Sequence, residues 1–174
     1  YFHHYGLKIV NCRFFNSFGP GEVPGQYRNV IPNFIFWSMQ DKSLPLTGTG
    51  DETRDFTYVL DLVQGLIKAA FYEDAIGQAF NLASGKETRI KDMIAMVNKS
   101  TGNTTPITKF PPRKWDTKKR LLASIELAGK LIDYKPIISF DDGLNENFKW
   151  FSNNWDKVKL SADFPAGMSS AVRK

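Results

Sequence analysis

The chain has 174 residues, 42% of them apolar and 24% charged, with a formal net charge of +5, which is ordinary for a globular domain large enough to bury a core. No apolar run approaches the ~20 residues that a bilayer span requires, and a lone cysteine, Cys12, rules out an internal disulfide. The densest basic cluster, Lys114, Lys118, Lys119 and Arg120, is not interleaved with aromatic residues, so neither a nucleic-acid platform nor a membrane protein is indicated, and a cytoplasmic setting is expected.

In chain order, Tyr1 to Tyr5 followed by Gly6 reads as the last turn of a helix with a glycine stop. The run 7–15 is mostly apolar and predicts a central strand covered on both faces. It leads into Asn16 and then the Gly19-Pro20 break, the way an α/β sheet presents a ligand-facing residue at its carboxyl edge. A strand that needs cover on both faces needs neighbours, and there is no initiator Met. A fragment of a larger fold is therefore expected.

Asn29 is placed to cap a helix carrying Phe34, Ile35, Phe36 and Trp37, with Pro32 tolerated in its first turn. Leu44-Pro45-Leu46 and Thr47-Gly48-Thr49-Gly50 predict a short strand and a tight turn, and Arg54 opens a second extended piece. Val59, Leu62, Val63, Leu66, Ile67 and Ala70 recur at helical spacing, predicting a helix over 59–72 with that stripe turned inward.

A strand over 78–83 follows, with Thr88 as the cap of a helix carrying Ile90, Met93, Ile94 and Val97. A brief strand at 106–110 is halted by Pro111-Pro112, and Ser124 opens a helix with Leu127 and Leu131 inside. Ser139 and Asp142 stand at capping-box spacing before a helix that buries Leu144, Phe148 and Phe151. From Asn153 the pattern dissolves, and 156–174 is expected to be a flexible tail. His3 and His4 are adjacent and so point about 100° apart on a helix, which predicts no metal site.

Arg13-Phe14-Phe15-Asn16 with Phe18-Gly19-Pro20, then Gly48 and Gly50, then Thr53-Arg54-Asp55-Phe56 with Val59 and Asp61, form an ordered series. With Asn81-Leu82-Ala83-Ser84-Gly85, Arg113-Lys114-Trp115-Asp116 and Asp133-Tyr134-Lys135-Pro136, it resembles the carboxyl-terminal portion of the extended short-chain dehydrogenase/reductase family, the NAD-dependent nucleotide-sugar epimerases and dehydratases. The resemblance implies an α/β Rossmann-type fold in which 1–20 end the NAD-binding domain and 21–155 form the substrate-binding region interleaved with it. The family's Gly-rich fingerprint and Tyr-x-x-x-Lys pair do not occur here, so no catalytic residue is expected in this chain.

By the same resemblance, Arg54 and Arg113 match the arginines that grip the substrate's pyrophosphate, a task suited to paired guanidinium hydrogen bonds. Read alone, Arg54 could equally pair with Asp51, Glu52 or Asp55, and Arg113 could be a surface charge. Asp116 matches the acid that accepts from ribose hydroxyls. Asn16 matches the sugar or phosphate ligand, with a turn residue as its plainer reading. Asn29 and Val30 match the helix start facing the nucleotide, with a simple cap as the alternative for Asn29.

Pro45 and Thr47 match the strand beside the base, Thr47 replacing an aromatic common there, while Phe15 matches the residue near the nicotinamide. Arg120 matches a position near the sugar, and an arginine there is closer to the decarboxylases and dehydratases. The implied activity is that of an NAD-dependent epimerase of the UDP-glucose 4-epimerase type, a homodimer acting on a nucleotide sugar through a keto intermediate. Decarboxylation or 4,6-dehydration of the same substrate class, or a non-catalytic binding module, are the alternatives.

Overall fold

Gly6, at φ 65°, ends the short helix α1 (Phe2–Tyr5) in the left-handed conformation that favours glycine. The structure, a computed structural model, describes residues 1–114 and 117–164. Strands β1 (Asn11–Phe14) and β2 (Ser17–Phe18) are followed by helix α2 (Val30–Ser38), β3 (Pro45–Thr47), β4 (Thr53–Arg54), β5 (Thr57–Tyr58) and helix α3 (Val59–Phe71). Then come β6 (Ala79–Leu82), β7 (Thr88–Arg89), helix α4 (Ile90–Thr101), β8 (Thr108–Phe110), β9 (Arg120–Leu121) and helices α5 (Glu126–Ile132), α6 (Phe140–Asn153) and α7 (Trp155–Ser161).

Parallel pairing dominates: β1 with β6, β2 with β5, β3 with β8 and β4 with β9, while β7 runs antiparallel to β4. Each parallel pair is joined through intervening helix, as parallel strands require. Two apolar cores result. One gathers Ile31, Phe34 and Ile35 of α2 with Leu46, Met93, Val97, Leu144 and Phe151. The other packs Leu62 and Ala69 of α3 on Phe80 and Leu82 of β6, with Ala128, Ile132 and Tyr134.

Five expectations are corrected. Strand β1 spans only Asn11–Phe14 of the expected 7–15; among the described residues it pairs only with β6, and within this chain Phe14 is 52% exposed. Helix α3 buries Leu62, Gly65 and Ala69 but leaves Val63, Leu66 and Ile67 exposed. The small residues decide its inward face, because Gly65 lets the backbone approach Leu82 and Tyr134 so closely that a Cβ would lie 2.8 Å from each. Helix α5 starts at Glu126 and turns Ala128 and Ile132 inward, leaving Leu127 exposed and Leu131 at the core's edge.

The fourth concerns the expected tail. Residues 155–161 form α7, which buries Val158, and Gly25 pairs with Asp163. Phe164 then stacks on Phe36 with ring centroids 5.6 Å apart. The remainder of that stretch, 165–174, lies outside the described residues.

Caps are mixed. Ser139 Oγ accepts from the Asp142 N–H at 3.1 Å, as the capping-box spacing predicts. Thr88 belongs to β7 and does not cap α4.

Candidate functional site

The ends of β3 and β4 and the segments that follow β1 and β8 meet around a cavity of about 450 Å³. Asn16 reaches it from the bend after β1, Thr47 from the end of β3, Arg54 from the end of β4, and Arg113 from just beyond β8. Ligand sites of open α/β sheets form at such carboxyl ends. Pro45 and Thr47 lie two residues apart on β3 and so face the same way. Phe34 and Trp37, three apart on α2, supply apolar lining, and Asn29 with Val30 brings the start of that helix to the wall.

Three arginines, Arg28, Arg54 and Arg113, therefore line one half-apolar space. Arg113 Nη2 donates to Thr47 Oγ1 at 3.4 Å, and Arg54 Nη1 donates to the Thr53 carbonyl at 2.8 Å. The carboxylate of Glu52 also lines the cavity and accepts from the Gly50 N–H at 2.9 Å. Asn16 Nδ2 donates to the Asp55 carbonyl at 3.1 Å, and the Asn16 backbone carbonyl accepts from the Thr57 N–H at 3.0 Å, so side chain and backbone are both tied to the 55–57 segment.

Asn29 does not act as a plain helix cap, since its side chain accepts no capping hydrogen bond. Its Nδ2 instead donates to Glu22 Oε1 at 2.7 Å and to the Ser17 carbonyl at 3.4 Å. Burial raises the Glu22 carboxyl above the usual range, opposed by that Asn29 bond and by Arg28.

Of the residues singled out from sequence, Asn16, Asn29, Val30, Pro45, Thr47, Arg54 and Arg113 line this one cavity. Phe15 is half-buried between β1 and β2 and is not in that lining. Asp116 lies outside the described residues.

Arg120 is directed elsewhere. It pairs in register with Thr53, so its side chain leaves the β7–β4–β9 sheet on the face opposite Arg54. There its Nε and Nη2 donate to the two carboxylate oxygens of Glu87 at 2.8 and 3.0 Å, and Thr53 Oγ1 donates to the same carboxylate at 2.7 Å. The Arg120 bonds hold the Glu87 carboxyl below its usual range.

Sequence reasoning missed Phe34, Trp37, Glu52 and Phe56, all in the lining. The signal at hand was the three-residue spacing of Phe34 and Trp37, but α2 is buried along nearly its whole length, and periodicity alone cannot pick out a lining face there.

Among the described residues no cluster of three or more His, Cys, Asp or Glu could hold a metal, and no helix is long and apolar enough to cross a membrane.

Parallel strands joined through helices, with an arginine-walled cavity at their carboxyl ends, define an α/β protein with a Rossmann-type ligand edge. Residues 1–83 match the pattern of the NAD dependent epimerase/dehydratase family. A solved structure described as epimerase Mth375 of Methanothermobacter thermautotrophicus is 49% identical, superposes with a TM-score of 0.92, and matches 94% of this chain and 48% of that one.

The Bordetella bronchiseptica enzyme WbmF, solved in complex with NAD+ and UDP, is 35% identical with a TM-score of 0.80, over 91% of this chain and 50% of that one. A UDP-N-acetyl-alpha-D-glucosaminuronate decarboxylase of Bacillus cytotoxicus is 30% identical over 84% of this chain and 47% of its own length. The chain thus spans about half the length of these relatives.

Proposed function

We propose that this chain is the nucleotide-sugar grip of an NAD-dependent nucleotide-sugar epimerase of the UDP-glucose 4-epimerase type. The observation that carries the reading is the meeting of Arg54 and Arg113, distant in sequence, in one cavity beside the Pro45–Thr47 strand. A diphosphate presents several anionic oxygens, which paired guanidinium donors match. The apolar strand and the Trp37 ring would flank the base, and Asn16 and Asn29 would meet the sugar and its phosphate. Asp116 would accept from the ribose. The UDP complex of WbmF supports this choice of nucleotide.

Phe15, half-buried after β1, offers an apolar face suited to a nicotinamide, so the residues present fit one edge of the cofactor. Bound there, NAD would supply hydride acceptance and return, the chemistry that a keto intermediate requires. This chain's residues hold the nucleotide while the sugar turns, so that remote binding energy is used without fixing the reacting ring.

We propose further that 1–20 end the NAD-binding domain and that 21–155 form the substrate region. The unpaired edge of β1 and the exposed Val63, Ile67 and Phe71 face of α3 would be the seam with the rest of the enzyme. The complete enzyme would be a cytoplasmic homodimer.

Replacing Arg54 by Ala in the complete enzyme removes a charge-assisted bond of about 1.5–3 kcal/mol and is expected to raise KM for the nucleotide sugar roughly 10- to 100-fold. An unchanged KM would refute the grip. The relationship to a decarboxylase gives a second reading, in which the same grip serves loss of a sugar carboxylate. Product analysis with UDP-glucose and UDP-glucuronate separates the two.

A further inference from the structure

We infer that Asp55 is a positioning residue, whose buried carboxylate fixes the bend that aims Arg54 and Phe56 into the cavity and orients Asn16. The inference rests on the diphosphate reading of that cavity.

The backbone at this point has no sheet to hold it. Arg54 ends β4, which pairs with β7 and β9, while Thr57 begins β5, which pairs with β2 in a different sheet. Residues 55 and 56 form the irregular step between the two. A step without ladder hydrogen bonds takes its shape from side chains. The flanking residues Arg54 and Phe56 both line the cavity.

The Asp55 side chain is fully buried, on the side away from the cavity. Its Oδ1 accepts from the Ser84 N–H at 2.9 Å, from the Ser84 hydroxyl at 2.5 Å and, at the outer limit, from the Thr57 hydroxyl at 3.5 Å. Its Oδ2 accepts from the N–H groups of Gly85 at 3.0 Å and Ala123 at 3.4 Å. One carboxylate thus joins the step after β4, the turn after β6 and the link between β9 and α5.

Every one of these donors is neutral. A buried carboxyl group satisfied by aimed N–H groups is a demanding arrangement, and any change of acceptor pattern is felt by all three segments. The Asp55 carbonyl accepts from Asn16 Nδ2, so the same residue sets a second cavity-lining side chain. The Pro45–Thr47 strand, by contrast, pairs with β8, and the Asp55 carboxylate bonds described above reach residues 57, 84, 85 and 123 instead.

That separation gives the test. In the complete protein, the affinities of UDP and of uridine are measured by calorimetry for the wild type, Arg54→Ala, Asp55→Asn and Ser84→Ala. Arg54→Ala sets the scale, lowering the UDP-to-uridine affinity ratio by about tenfold or more.

Asp55→Asn keeps the shape but sets an NH₂ group against backbone N–H donors. It is expected to lower the ratio about three- to tenfold, with uridine affinity within about twofold of wild type. Ser84→Ala removes one donor to the carboxylate and is expected to lower the ratio about twofold. It decides the matter if Asp55→Asn does not fold.

Equal loss of UDP and uridine affinity would mark a merely structural role and overturn the inference. An unchanged ratio in both Asp55→Asn and Ser84→Ala, with a fall in Arg54→Ala, overturns the inference alone. An unchanged ratio in Arg54→Ala overturns the diphosphate reading itself.

Discussion

The guanidinium of Arg113 donates through Nη2 to the hydroxyl of Thr47 at 3.4 Å, tying the chain beyond β8 to the end of β3 across the cavity wall. The two strands already pair in parallel register, Thr47 opposite Phe110. The hydroxyl thus offers Arg113 an acceptor that a phenylalanine ring at position 47 would lack.

Replacing Thr47 by Val keeps the volume and removes the acceptor. A bond from a charged donor is weakened at a length of 3.4 Å and contributes about 0.5–1.5 kcal/mol here, so KM for the nucleotide sugar is expected to rise roughly 2- to 10-fold with kcat little changed. Steady-state kinetics on the complete enzyme check it.

Glu22 gives a pH dependence with a definite sign. Burial raises its carboxyl, with Asn29 and Arg28 pulling the other way. A raised acid contributes stability below its unfolded pKa and loses that contribution as pH rises through the folded value. Glu22→Gln can keep the acceptor for Asn29 but cannot ionise. Its Tm relative to wild type should therefore increase as pH goes from about 4 to 7; a constant or falling difference would contradict this.

Gly65 in α3 is a packing glycine. Alanine there would gain about 1 kcal/mol in helix propensity, but its Cβ would lie 2.8 Å from Leu82 Cδ2 and Tyr134 Cε2. Tyr134 cannot move aside freely, because its hydroxyl donates to the Ala83 carbonyl at 3.0 Å in the buried core. Overpacking costs about 1–3 kcal/mol, so Gly65→Ala is expected to lower the urea midpoint; a rise would show the α3 face to be loosely packed.

Phe164 stacks on Phe36 and lies 5.3 Å, centroid to centroid, from the cavity-lining Trp37. Truncation to Ala should cost about 1–3 kcal/mol, read as a lower urea midpoint at unchanged slope. No loss would mean that residues 162–164 contribute nothing to the core.

The fold was legible where local chemistry and tertiary packing agree. Gly6 stops α1, Ser139 caps α6, and the polar residues at strand ends, Asn16, Thr47, Arg54 and Arg113, lie around one cavity. It was illegible where packing alone decides. The apolar residues of α3 cover two faces, and only contact with Leu82 and Tyr134 selects the one around Gly65. Arg120 shows the limit of motif position, since strand alternation sends it to Glu87 and away from Arg54. Trp155 and Val158 were too short a pattern to reveal α7, which needs Phe36 and its neighbours to stand on.

The most direct measurement is the crystal structure of the complete protein with UDP bound. Both the Arg54 and Arg113 guanidinium groups are expected within hydrogen-bonding distance of the diphosphate, with the base against Pro45 and Thr47. UDP held elsewhere, or a diphosphate that meets neither arginine, would contradict the assignment.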